Sequence, residues 1–339
     1  MMELIEILEA LNQTHGPSGD EGEIREKIAG LARPFADEVK ADTLGNLVVH
    51  KKGKGPRVMF AAHMDSIGFI VTHIEKEGFL RVGKLGGVAP KEAAYSAVRF
   101  KTGVRGVFVP EEKADFGKLK LDECFLDIGA ADEAEARKLV RVGDTCVYDG
   151  PVRVQGSRVT APYLDDRIAC AVLLRALEQI EEPACDLWMV FTVQEEVGLR
   201  GARTAAWWVE PETGIAVDVT DVDDTPGSEK SGTTQLGRGA AVKVMDSSVI
   251  CHPQVVARLE ELAGAEGIPV QRDIMRAGGT DAGAIHTTRL GVRTGGISIP
   301  CRYIHTPAET ADLADAEACV RLAAAFAQAL STAPAGKAP

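Results

Sequence analysis

Two histidines and several acidic side chains recur where apolar runs end. "RVMFAAHMD" closes on His63 and Asp65, "LWMVFTVQEE" on Glu195 and Glu196, "GIAVDVT" carries Asp218, and "GGISIPCRYIH" runs out at His305. A fifth stretch, "YLDDR", places Asp165 and Asp166 where a helical pattern begins. Apolar runs of this kind are the buried strands of an α/β sheet, and ligands of such sheets collect beyond the carboxyl ends of the strands. Imidazole nitrogen and carboxylate oxygen are the donors that zinc-like ions take, and a catalytic site keeps one position open for water. Two histidines with three carboxylates exceed one open tetrahedral site. They suit two ions that share a bridging carboxylate.

Each residue also has an ordinary reading. His63 alone is more often a structural histidine, and Asp65, two positions on and so on the same strand face, could simply accept its N–H. Asp165 and Asp166 could cap a helix. Asp218 could cap a turn. The adjacent acids Glu195 and Glu196 usually mark a solvated helix start, but at the end of "LWMVFTV" they are costly without a cation. His15, His50 and His73 are given no role, His252 is read as starting a helix before Pro253, and His286 as lying on a helix after a Gly-rich turn. It is the joint recurrence at one sheet edge that points to chemistry.

The 339-residue chain carries a formal charge of -12, with no basic stripe to neutralise phosphates, which argues against a nucleic-acid partner. Its seven cysteines are spaced too widely for a C-x-x-C pair and fit reduced thiols in a cytoplasmic protein. No apolar run approaches the ~18 residues of a membrane span. The opening "MMELIEILEALNQ" reads as an amphipathic helix and not as a secretory signal.

These residues must be carried by elements. Residues 2–13 and 20–33 read as helices, the second capped by Ser18 or Asp20 and closed near Pro34. "NLVVHKKGKGPRVMFAAHMD" reads as strand, Gly-rich turn and strand, a hairpin. Between Ser66 and Tyr163 the segments become short, β-branched and separated by Gly or Pro, which predicts a small antiparallel β domain with one helix near "ADEAEARKLV". Elsewhere strands alternate with helices at 168–180, 253–265 and 314–330. In the first of these Cys170, Leu173, Leu174, Leu177 and Ile180 share one face. This alternation predicts a mixed sheet covered on both sides. The expected division is a catalytic domain of 1–66 plus 164–339, an inserted β-rich domain of 67–163, and a frayed tail at 332–339.

Taken together, "AAHMDSIGF", "YLDDRIACAVLL", "VQEEVGLRGA", "AVDVT", "GGTDAGAIHTTRLGV" and "ISIPCRYIHTPAE" resemble the M42 family of metallo-aminopeptidases, the glutamyl and tetrahedral aminopeptidase group, some of whose members are named cellulases. The resemblance runs over nearly the whole chain in order. It implies a three-layer, mixed-sheet di-metal peptidase domain of α/β class with an inserted small PDZ-like β-barrel. It implies that His63, Asp165 and Asp218 hold one divalent ion and Asp165, Glu196 and His305 a second, zinc or cobalt, with manganese compatible. By the same resemblance Glu195 is the general base, Asp65 supports His63 and counts as catalytic, and Thr280 and Asp281 bind substrate. The peptide bond between Asp165 and Asp166 is expected to be cis. Partners implied are peptides with a free amino end and further copies of the chain in a tetrahedral homododecamer. Two departures lie outside the site: "HTP" stands where a serine is expected second, and "SEKSGTTQLGRG" has no acidic run beyond Glu229.

The activity expected is removal of the amino-terminal residue by an activated water. Two rival readings are a related di-metal carboxypeptidase or deacylase and a non-catalytic metal-binding assembly protein. A cellulase would need two facing carboxylates but leaves both histidines without a purpose.

Overall fold

The computed structural model describes residues 2–228 and 232–329. The tail reading at 332–339 and the remark on Glu229 fall outside them. Its main body is an eleven-stranded mixed sheet. At its centre Asp186–Thr192, Arg57–His63, Thr213–Asp221 and Arg293–Arg302 run parallel. These strands are buried on both faces, which is why they read as near-continuous apolar runs. Within Arg57–His63 side chains alternate by two: Val58, Phe60 and Ala62 join the larger core, whereas Met59 and Ala61 join a smaller one on the other face. The larger core is built from the helices Leu4–Asn12, Gly22–Ala32, Leu164–Gln179, Pro253–Ala265 and Leu313–Gln328. Arg200–Val209 and Ala282–Ile285 cover the other face, so the body has three layers. Cys170, Leu173, Leu174, Leu177 and Ile180 are all buried, as their spacing predicts.

Between the strand ending at His63 and the helix beginning at Leu164, six strands close into a barrel: Gly68–Ile74, Leu80–Leu85, Cys124–Asp127, Arg105–Pro110, Ala97–Phe100 and Thr145–Tyr148. Phe69, Phe100, Phe108 and Tyr148 fill a core of its own. The expected helix is present at Glu133–Leu139, its Asp132 cap accepting the Glu135 N–H at 2.8 Å.

Three readings of local pattern need correction. The segment 47–63 is not a hairpin, because Asp186–Thr192 lies between its two strands, antiparallel to Leu47–Lys51 and parallel to Arg57–His63. The connector at 52–56 is long enough to step over one strand, about 10 Å. Its glycines serve a close approach: a Cβ on Gly53 would lie 1.8 Å from the Cys185 carbonyl oxygen, and one on Gly55 2.1 Å from that of Ala184. The strands Arg153–Gln155 and Arg158–Ala161, read with the β-rich segment, pair with each other, and the second also pairs with Glu309–Asp312, so both extend an edge of the large sheet. The helix Arg200–Val209 shows no stripe of large apolar residues in the sequence, because alanines and Gly201 form most of its buried face and both of its tryptophans lie outward.

Gly53→Ala is expected to destabilise the fold by about 1–3 kcal/mol, the range of overpacked sites. Gly30→Ala, on the exposed side of a helix with open space around its Cβ, should instead stabilise by about 0.5–1 kcal/mol. Urea midpoints that move the same way in both variants would contradict this packing.

Candidate metal centre

Three of the parallel strands deliver four of the expected residues to one edge. His63 ends Arg57–His63, Glu195 and Glu196 follow Asp186–Thr192, and Asp218 lies in the last half of Thr213–Asp221. Asp165 and Asp166 open the helix Leu164–Gln179 with non-helical backbone angles, and the peptide bond between them is cis. They do not cap it. His305 stands in the turn between Arg293–Arg302 and Glu309–Asp312.

The side chains converge. Asp165 Oδ1 is 2.9 Å from His63 Nε2, and its Oδ2 is 3.2 Å from His305 Nε2. Glu196 Oε2 lies 3.1 Å from His305 Nε2, while its Oε1 is buried with no hydrogen-bond partner. Glu195 Oε2 is 4.0 Å from His63 Nε2. Ligand atoms of His63, Asp165 and Glu196 lie within 4.8 Å of one another, and so do those of His63, Asp166 and Asp218. In the second group Asp166 stands beside Asp218 where the sequence resemblance names Asp165. Its Oδ2 accepts the backbone N–H of His63 at 3.1 Å, and its Oδ1 is buried and unpartnered.

The imidazole of His63 is aimed from behind. Its Nδ1 lies 3.1 Å from the Asp65 carbonyl oxygen, so the proton belongs on Nδ1 and the Nε2 lone pair faces the cluster. The Asp65 carboxylate stands beside the same ring, its Oδ1 3.6 Å from Nδ1, and has further partners. It accepts the Ser18 hydroxyl at 2.6 Å and the backbone N–H groups of Glu195 and Glu196 at 2.9 and 3.4 Å. Asp65 is fully buried and fixes the turn that carries the two glutamates.

Thr280 and Asp281 are also buried behind the cavity wall, which Gly278 and Gly279 form at that point. The Thr280 hydroxyl donates to Asp246 at 2.9 Å, and Asp281 accepts the Thr192 hydroxyl at 2.5 Å. Two contributors were missed in the sequence. Glu309 accepts the backbone N–H of Asp165 at 2.8 Å through one oxygen and that of His305 at 2.9 Å through the other. The barrel segment supplies Gly86 and Gly87, and a Cβ on Gly87 would lie 2.3 Å from His305 Nδ1. The only sequence signals were an acid after "HTPA" and a Gly–Gly pair ending an apolar run.

Electrostatics favour a cation. Burial pushes the carboxyls of Glu195 and Asp218 well above the usual range, and burial pushes Asp281 up to about 6. Burial opposes a charge on His305, but the Asp165 and Glu196 carboxylates outweigh it and hold its proton up to about 12. Unpartnered buried oxygens on Glu196 and Asp166, whose carboxylates are grouped with the His63 imidazole, fit divalent ions with mixed nitrogen and oxygen ligation. The cluster floors a cavity of about 480 Å³.

Known proteins share this arrangement of chain and fold. The family model described as M42 glutamyl aminopeptidase matches residues 45–322. A lysyl aminopeptidase from Pyrococcus furiosus is 38% identical across 96% of this chain and 97% of its own. The structure of an aminopeptidase from Desulfurococcus kamchatkensis superposes with a TM-score of 0.92 at 40% identity, covering 96% of this chain and 94% of that one. The Pyrococcus horikoshii TET1 peptidase, described as able to assemble into a tetrahedron or a large octahedral shell, gives 0.88 at 32% identity, covering 97% and 100%.

Because Asp65 and Gly87 set ligand positions without being ligands, Asp65→Ala and Gly87→Ala should each weaken zinc or cobalt affinity by roughly 10–100-fold. Calorimetric titration of the folded variants measures this, and wild-type affinity in both would show that these contacts do not shape the centre.

Proposed function

The chain belongs to the M42 glutamyl aminopeptidase family, hydrolases that act on peptides, and from that premise we propose a co-catalytic di-metal aminopeptidase. The supporting observation is Asp165, one carboxylate set between two imidazoles. In this reading His63, Asp165 and Asp218 hold one divalent ion, and Asp165, Glu196 and His305 a second. When bound, such a pair supplies a water acidified toward a pKa of ~7 and Lewis-acid polarisation of the scissile carbonyl.

Glu195 is the general base. Its carboxylate lines the cavity beside His63 and makes no hydrogen bond among the described residues. It takes a proton from the attacking water and passes it to the departing amine. Burial raises its carboxyl, which suits a group that must both accept and return a proton near neutrality. Asp65 is a positioning residue here, holding the backbone of Glu195 and Glu196 and orienting His63. Thr280 and Asp281 brace the Gly278–Gly279 wall against which substrate lies. The substrate's free amine sits among the cluster carboxylates, which limits cleavage to the first residue. We read the barrel as the inserted PDZ-like module and the assembly as a homododecamer, in line with the shells described for the Pyrococcus horikoshii peptidase. None of the described helices is long and apolar enough to cross a membrane, and all seven cysteines are free and buried, which supports the cytoplasmic reading.

Glu195→Gln should lower kcat on aminoacyl amides by about 10²–10⁴-fold while the variant still binds two zinc or cobalt ions per chain. Wild-type turnover in that variant refutes the assigned base. Peptides with acetylated amino ends should be left intact, and their cleavage would favour the deacylase or carboxypeptidase reading. Sedimentation should give a particle many times the 36.0 kDa of one chain. A 36.0 kDa species would refute the assembly.

A further inference from the structure

The cavity has a second acidic feature that the metal cluster does not use. Asp221 closes the strand Thr213–Asp221, three positions after Asp218, and lines the cavity wall. Its carboxylate has no hydrogen-bond or ion-pair partner among the described residues. Arg302, an arginine a few positions before His305, is already committed: its guanidinium meets Asp224 in two contacts of 2.6 and 2.8 Å. No lysine or arginine among the described residues lines the cavity. Arg276 stands between two lining residues, Met275 and Ala277, without lining it itself.

The rest of that wall is apolar. Met275, Ile304 and Leu199 line the cavity, and the Met275 sulfur lies 3.7 Å from the Thr220 hydroxyl, which donates to Asp273 at 3.0 Å. An aminopeptidase substrate has nothing before its first residue, so that residue's side chain must lie against these walls while its amine and carbonyl meet the cluster. The four cluster carboxylates that line the cavity, Asp165, Glu195, Glu196 and Asp218, are formally balanced by two divalent cations. Asp221 is then the charge left over.

We propose that Asp221 makes this cavity select peptides whose amino-terminal residue is lysine or arginine, the aliphatic stem lying on Met275 and Ile304 and the cationic end reaching the Asp221 carboxylate. The proposal rests on the aminopeptidase reading above and adds the substrate class. Long cationic side chains bury their stems on apolar surface and keep the charged head at a polar rim, which is the division this wall offers. A glutamate or aspartate in the same place would meet the Asp221 carboxylate with no lysine or arginine on the wall to receive it.

The test compares kcat/KM on the p-nitroanilides of Lys, Arg, Leu and Glu for the metal-loaded enzyme. Lys and Arg should exceed Leu by at least about tenfold and Glu by about 100-fold. Asp221→Asn should cut the Lys-to-Leu ratio about tenfold, and Asp221→Lys should turn preference toward Glu. Asp221 is exposed, so both variants should fold, and circular dichroism checks this. An equal loss on every substrate would place Asp221 on the α-amine and overturn the proposal. An unchanged ratio would also overturn it, and a wild-type preference for Glu would bring Arg276 into the pocket instead. Cleavage of the Leu amide without preference for Lys refutes this inference alone, whereas no cleavage of any amide refutes the aminopeptidase reading as well.

Discussion

The site depends on one carboxylate being held between two imidazoles. Asp165 faces His63 with one oxygen and His305 with the other. Burial works against its charge, yet the two imidazoles outweigh burial and hold its carboxyl well below the usual range. Its position is not set by its own helix, whose first residues depart from helical angles. It is set by Glu309, which takes the N–H of Asp165 and the N–H of His305 on its two oxygens. A single buried acid therefore ties the backbone of one expected ligand to that of another 140 positions later.

A second line of support runs from the amino end. Arg167, fully buried, donates to the carbonyl oxygens of Leu11 and Gly16 at 2.9 and 3.2 Å, fixing the loop that presents Ser18. Ser18 donates to Asp65, and Asp65 receives the N–H groups of both glutamates. Gly86 and Gly87 reach over from the barrel segment, and only the absence of a Cβ at Gly87 leaves room for the His305 ring. The parallel strands bring the side chains to one edge, and these contacts set their angles. Metal centres need both, since outer partners fix tautomer and orientation as firmly as the ligands fix charge.

This division explains what could be read from the chain. His63, Glu195, Asp218 and His305 were legible because a buried strand announces itself as an apolar run and its end is where ligands collect. The β character of the inserted stretch was legible from alternating short segments. The partner of each strand was not: nothing in "NLVVHKKGKGPRVMF" states that a strand more than 120 positions later enters between its two halves. Strands 153–161 carry the same local pattern as barrel strands, and only pairing with Glu309–Asp312 assigns them to the sheet. The helix Arg200–Val209 hides because small residues bury its inner face. Asp65 and Glu309 act on backbone N–H groups, and Ser18 acts on Asp65, contacts that leave no mark in residue type.

The buried acids also explain why charge outside the cluster matters. Without a cation, burial drives Glu195 and Asp218 toward the neutral acid, while Asp165 and Glu196 keep a proton on His305. Protons and divalent ions thus compete for the same atoms, and binding of the ions releases protons. Once the cluster is neutralised in this way, its acids have little charge left to discriminate one peptide from another. Asp221 differs because it sits on the same cavity wall yet belongs to neither ligand group. In the proposed reading, chemistry and selection are separated along one strand: Asp218 would hold a metal ion, and Asp221, three residues on, would recognise the residue to be removed.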